Sequence, residues 1–138
     1  MRQIFVDTSG WDAIADGGDP HHETALLFRD EIAGQRRLVV TNYILDELYT
    51  LLLMNVGYQR VVEFKRKLDV LVQEGILEVI WVSEQMAADA WMVFEQFNVD
   101  KHWSFTDCVS YVVMKRRDIA EAFAFDHHFG QMGFVRRP

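Results

Sequence analysis

Short apolar runs separated by long helical stretches restrict this chain's fold more than any other feature. Residues 3–6 read as a short buried strand, Leu38-Val39-Val40 as a second, residues 77–82 as a third and residues 122–125 as a fourth, with Phe134-Val135 adding a fifth at an edge. The segments between them carry helical spacing and helix punctuation. Residues 10–15 form a brief helical turn closed by Asp16-Gly17-Gly18-Asp19-Pro20, and residues 21–33 a helix ended by Gly34. Thr41 or Asn42 caps a helix over 43–55, Gly57 breaks it, and residues 58–73 complete a helical hairpin ended by Gly75. Ser83 caps a helix reaching Phe97, and Ser104 starts another that runs through Arg116. Strands joined through helices must run parallel, because parallel neighbours need crossover connections that a tight hairpin cannot supply. The expected fold class is therefore α/β, a doubly wound parallel sheet of four to five strands with helices on both faces.

With 138 residues, half of them apolar, the chain suits one domain over residues 1–138 with a sizeable core. No apolar stretch approaches the roughly 18 residues that span a bilayer, and Met1-Arg2-Gln3 runs into a strand without a signal-peptide core, so the expectation is no membrane and a cytoplasmic location. The single cysteine, Cys108, excludes an internal disulfide and reads as a buried reduced thiol. A net charge of −7 argues against a broad nucleic-acid-binding face. Arg36-Arg37, Lys65-Arg66-Lys67, Lys115-Arg116-Arg117 and Arg136-Arg137 remain as candidates for phosphate contacts, although the third group also suits the last turn of its helix.

Four carboxylates border apolar elements, where a solvated acid is not normally placed. Asp7 ends Ile4-Phe5-Val6, Glu47 interrupts the stripe Ile44, Leu48, Leu51, Asp107 opens the helix that contains Cys108, and Asp126 ends Phe123-Ala124-Phe125. Each has a structural reading of its own: Asp7 as a helix cap, Glu47 as an exposed neighbour of Asp46, Asp107 as the partner of Ser104 in a capping box, Asp126 as the start of a turn. Topology argues for more. Groups at strand carboxyl ends gather on one edge of an open parallel sheet, and helices beginning there join them. Converging anions near apolar surroundings call for a compensating cation.

The motifs Val6-Asp7-Thr8-Ser9, Leu45-Asp46-Glu47-Leu48, Ser104-Phe105-Thr106-Asp107-Cys108 and Phe125-Asp126-His127-His128-Phe129 resemble, in order, those of PIN-domain ribonucleases, in particular the VapC-type toxin branch. The resemblance spans essentially the whole chain. It implies a PIN-like doubly wound sheet, metal-dependent RNA cleavage, a homodimer and neutralisation by a small antitoxin protein. Asp7, Glu47 and Asp107 match the acids most consistently used at the metal, and Asp126 a more variable fourth. Thr8 and Thr106 match hydroxyl positions that support the ligands. Oxygen-only ligands favour Mg²⁺, or Mn²⁺, over zinc. Hydrolysis by a metal-activated water, with one ion or a second arriving with RNA, would leave a 3′-hydroxyl and a 5′-phosphate.

Other residues are weighed against this reading. The pairs His21-His22 and His127-His128 read as structural or solvated, with His127 close enough to touch substrate, and Asp100 reads as a solvated loop acid. Trp11 and Trp103 flank site motifs and are candidates for stacking on RNA bases, whereas Trp81 and Trp91 look like core. The alternatives are a receiver-like phosphoacceptor domain and a catalytically idle PIN-fold binding module. The receiver has no use for Glu47 and needs a lysine after a late strand, where this chain has Asp126-His127-His128. The hairpin helices over 43–73 are the expected surface for both the dimer and the antitoxin.

Overall fold

The computed structural model describes all 138 residues. Its elements are β1 (Arg2–Val6), α1 (Thr8–Ala15), α2 (His22–Ile32), β2 (Arg36–Thr41), α3 (Asn42–Val56), α4 (Tyr58–Gln73), β3 (Leu77–Ile80), α5 (Glu84–Phe97), α6 (Phe105–Arg117), β4 (Glu121–Phe123), α7 (His128–Gln131) and β5 (Val135–Arg137). The five strands are all parallel and lie in the order β3-β2-β1-β4-β5. The chain builds outward from β1 to β2 and β3, then returns to the other side of β1 for β4 and β5. That reversal makes the carboxyl ends of β1 and β4 the topological switch point, where open α/β sheets have their crevice.

The central strand explains itself. Ile4, Phe5 and Val6 are at most 1% exposed because layers cover both faces of the sheet, which is why β1 reads as a continuous apolar run. Edge strand β3 buries only Leu77 and Ile80 at its ends. Side chains of Thr41, Ser83 and Ser104 accept the backbone N–H groups of Ile44, Met86 and Asp107, starting α3, α5 and α6 where the sequence placed their caps. Gly57, at φ 88°, separates α3 from α4 in a conformation costly for any residue with a Cβ.

Every strand differs from expectation by one or more residues, and three of the shifts have a visible reason. The third strand stops at Ile80 because the Val82 N–H is taken by the Asn42 side chain at 2.8 Å. The fourth stops at Phe123 because the Phe125 N–H is donated to Ser9 Oγ at 3.0 Å. The second begins at Arg36, beside Arg2 in register, where its guanidinium reaches Glu121 at 2.5 Å. The short helix α7 was not expected at all.

α1 sits directly on β4. A Cβ on Gly10 would lie 2.5 Å from the Phe123 carbonyl oxygen, so the approach requires glycine. The Asp7 N–H also donates to that carbonyl at 3.0 Å. At the opposite end of the sheet, buried Glu121 meets Arg2 at 2.7 Å and Arg137 at 2.9 Å as well as Arg36. No helix is long and apolar enough to cross a membrane.

Candidate metal centre

Three of the four singled-out acids gather at the switch point, and each gets there by doing an ordinary local job. Asp7 is the N-cap of α1, its Oδ2 accepting from Ser9 N–H at 3.3 Å and Ser9 Oγ–H at 2.8 Å. Asp107 completes a reciprocal capping box with Ser104, whose N–H donates to Asp107 Oδ2 at 3.1 Å. Asp126 opens a turn by accepting the His128 N–H on Oδ1 at 2.8 Å. Capping and clustering are thus compatible, because these bonds fall on one oxygen of each carboxylate. A carboxylate held this way presents its second oxygen in a fixed direction.

The imidazole of His128 joins two of the acids, its Nδ1 lying 2.9 Å from Asp107 Oδ2 and 3.1 Å from Asp126 Oδ1. Ser9 makes a second link. Its hydroxyl accepts from Phe125 N–H while donating to Asp7, tying the end of β4 to the end of β1. Neither residue was picked out as part of the site from sequence; Ser9 lies within the first motif and His128 in the turn after Asp126.

Glu47 stands apart. It is exposed on α3, where it shares a cavity of about 500 Å³ with Tyr43, Asp46 and Thr106, the neighbour of Asp107. It forms no hydrogen bond or ion pair with the other three acids. Thr8 is buried beside Asp7, and its hydroxyl oxygen has no hydrogen-bond partner. Such an orphan in a polar crevice is a place for water or an ion.

The acids carry negative charge that the protein's own cations do not balance. No lysine or arginine pairs with Asp7, Asp107 or Asp126. Burial pushes the Asp7 carboxyl up to about 7, against the pull of the Ser9 hydroxyl and with help from the Asp107 charge. Burial likewise raises Asp107, with the Ser104 N–H and His128 opposing it. Cys108, next along α6, is raised to about 11 by burial and by Asp107, so it stays a thiol, as its sequence context suggested. Oxygen donors predominate, a set suited to Mg²⁺ or Mn²⁺.

Several expectations for the surroundings are corrected. Trp11 and Trp103 are each 3% exposed and cannot serve as stacking platforms. Trp103 packs against Phe97 and donates its indole N–H to Gln131, while Asn98 bonds both its backbone N–H and C=O. Trp81 and Trp91, read as core, are 74% and 53% exposed. Trp81 lies just past the end of an edge strand and so has no second layer to cover it. His128 is neither solvated nor remote, unlike His127, whose side chain is 77% exposed. Six of the ten basic residues proposed for phosphate are already paired: Arg36 and Arg137 with Glu121, Arg37 and Arg117 with Glu78, Lys65 with Asp69, and Arg116 with Asp89. Asp100 is a solvated loop acid beside Lys101, as expected.

A parallel sheet with this order and acids at its switch point is the arrangement that the sequence motifs implied. The PIN-domain pattern matches residues 4–135, and the chain belongs to the PIN-domain family. Within it the protein is of the VapC type. It is 32% identical to the 23S rRNA-specific endonuclease VapC20 of Mycobacterium tuberculosis over 96% of this chain and 95% of that protein. It is 31% identical to a VapC ribonuclease of Archaeoglobus fulgidus, over 91% of this chain and 78% of the relative. The crystal structure of Mycobacterium tuberculosis VapC20, described as a sarcin-ricin loop cleaving toxin, superposes with a TM-score of 0.82 over 96% of this chain and 97% of that one, at 30% identity. Family membership removes the receiver-like alternative.

Proposed function

We propose that this protein is a divalent-metal-dependent endoribonuclease, the toxin of a toxin–antitoxin pair, acting in the cytoplasm as a single domain over residues 1–138. The observation that carries the reading is the trio of one-side-pinned carboxylates, buried or half-buried, with no lysine or arginine to neutralise them. Asp7 and Asp107 would hold the cation, with Glu47 on α3, which lines the cavity beside Thr106, and Asp126 at the end of β4 as the further acids of the set. The Thr8 hydroxyl, buried beside Asp7 without a partner, and the Thr106 hydroxyl, beside Asp107 in the chain, would be available to water or substrate at the site. A bound Mg²⁺ or Mn²⁺ would lower the pKa of an attacking water and offset charge on the phosphodiester. The chain's own part is to preorganise this field: Ser9, Ser104 and His128 fix the acids before substrate arrives, and the apolar surroundings keep them poorly hydrated. A bound cation would favour the ionised form of Asp7, the form that burial disfavours.

The test is cleavage of total RNA and of 23S rRNA, the substrate named for the Mycobacterium relative, with and without Mg²⁺, followed by end-group analysis. Metal-dependent products with 5′-phosphates support the reading; cleavage that survives chelation, or 2′,3′-cyclic ends, overturns it. For the antitoxin, the site we favour is an apolar trough of about 510 Å³ between α1 and α4, lined by Trp11, Ile14, Phe64, Leu68, Leu71 and Ile76. It fits an amphipathic helix and uses the second helix of the hairpin. Leu71→Asp should abolish neutralisation by the cognate partner while leaving RNA cleavage intact. Exposed Leu53 and Met54 on α3, and Trp91 and Met92 on α5, suit the surface of a homodimer, for which sedimentation of Trp91→Glu is the check.

A further inference from the structure

The imidazole of His128 occupies a place that metal coordination alone does not explain. We infer that His128 is a positioning residue: its Nδ1–H clamps Asp107 and Asp126 together, aiming Asp107 at the cation, and Asp126 acts through this imidazole rather than as a metal ligand. The inference rests on the reading of the acids as a divalent-cation site and refines the role given there to Asp126.

Four observations support it. Nδ1 is hydrogen-bonded to Asp107 Oδ2 at 2.9 Å and lies in close contact, at 3.1 Å, with Asp126 Oδ1; ionised carboxylates only accept, so the hydrogen lies on Nδ1 and no lone pair is offered there to an ion. The Asp107 oxygen that meets His128 is also the one taken by the Ser104 N–H, so two donors fix the same Oδ2 and leave Oδ1 for other work. Asp126 Oδ1 is the other end of the clamp and accepts the backbone N–H of His128 besides. Finally, the imidazole is anchored. Its side chain is 19% exposed at the start of α7, and the next residue, Phe129, is fully buried with its ring 6.3 Å from that of Phe5 on β1.

The competing role is direct ligation, since donor atoms of Asp126, His127 and His128 lie within 4.8 Å of one another. Mn²⁺ affinity, measured by calorimetry on the full chain, separates the two. Removing a partner that orients a metal ligand typically costs roughly 10- to 100-fold in affinity, and that loss is expected for His128→Ala. His128→Asn keeps an N–H donor at the same bond count from Cα and should stay within about threefold of the parent. Asp126→Ala should weaken binding about as much as His128→Ala, and the double variant should be no worse than the poorer single one, because both remove one clamp. RNA affinity measured without divalent cation, and the thermal midpoint, should move little in His128→Asn. Wild-type affinity in His128→Ala, an Asn variant as weak as Ala with the fold intact, or additive losses in the double variant would each overturn the proposal. Failure of the unaltered protein to bind Mn²⁺ would overturn the metal reading itself, and this inference with it.

Discussion

The two ends of the sheet handle buried carboxylates in opposite ways. At the amino end, burial pushes the Glu121 carboxyl up, but hydrogen bonds and charge from Arg36, with Arg137 and Arg2, hold it below the usual range. At the carboxyl end, burial is the leading cause again, yet Asp7 and Asp107 finish above the usual range because hydrogen bonds from serines and one histidine do not supply enough positive charge. The sheet, and much of the core around it, is common to both. What differs is whether the protein brings its own cation. The amino end balances its buried acid with arginines of its own, and the carboxyl end does not.

That contrast can be broken in several ways, and the largest effect falls on catalysis. Asp107→Asn should reduce Mg²⁺-dependent RNA cleavage by about a thousandfold or more, the scale on which a preorganised charge-stabilising group matters. Circular dichroism should still report a folded protein, and full activity in the variant would remove the assignment.

Next comes the pH dependence of the cation-free protein. Asp7 has a folded pKa of about 7 against an ordinary 3.8, so between these values the folded state binds the extra proton. Stability should therefore fall as pH rises from about 4 to 7, by at most about 4 kcal/mol from this group. Asp12, raised to about 6 by burial and by Asp19 and Asp16, adds a smaller slope of the same sign. Urea melts across this range should show the decline, and Asp7→Asn should remove most of it. Added Mn²⁺ should stabilise more at the upper end of the range, where no proton competes. Glu121 behaves in the opposite sense: its lowered pKa gives stability that is present above about 4.5 and lost as pH drops through the folded value.

The amino end should respond in stability alone. Glu121→Ala leaves Arg36 partly buried without its partner and should cost about 3 kcal/mol in urea unfolding, with Mn²⁺ affinity unchanged. The smallest effect is expected for Arg2→Ala. Its side chain is 76% exposed, so the loss should stay under about 1 kcal/mol in the same assay.

The sequence disclosed the sheet because its central strands are buried on both faces and therefore read as unbroken apolar runs. It disclosed helix starts because Thr41, Ser83 and Ser104 are caps with local geometry. Asp7, Asp107 and Asp126 could be singled out because each sits where an apolar element changes direction. The exposures of Trp81 and Trp103 were misread because they depend on which strand lies at the edge and which loop folds over, facts of three-dimensional order rather than local pattern. His128 reads from sequence as structural or solvated for the same reason: its partner Asp107 is 21 residues away, and only the turn at Asp126 brings them together.

Ser9 and Phe125, joined by one hydrogen bond across 116 residues, also bear on time. A ribosome adding about 5–20 residues per second would make Asp7 roughly 6–23 s before the strand that locks it in place. During that interval the emerging chain has its first acid but no crevice to hold it. In a chain built this way the carboxylate crevice takes shape only after its last strands have been made.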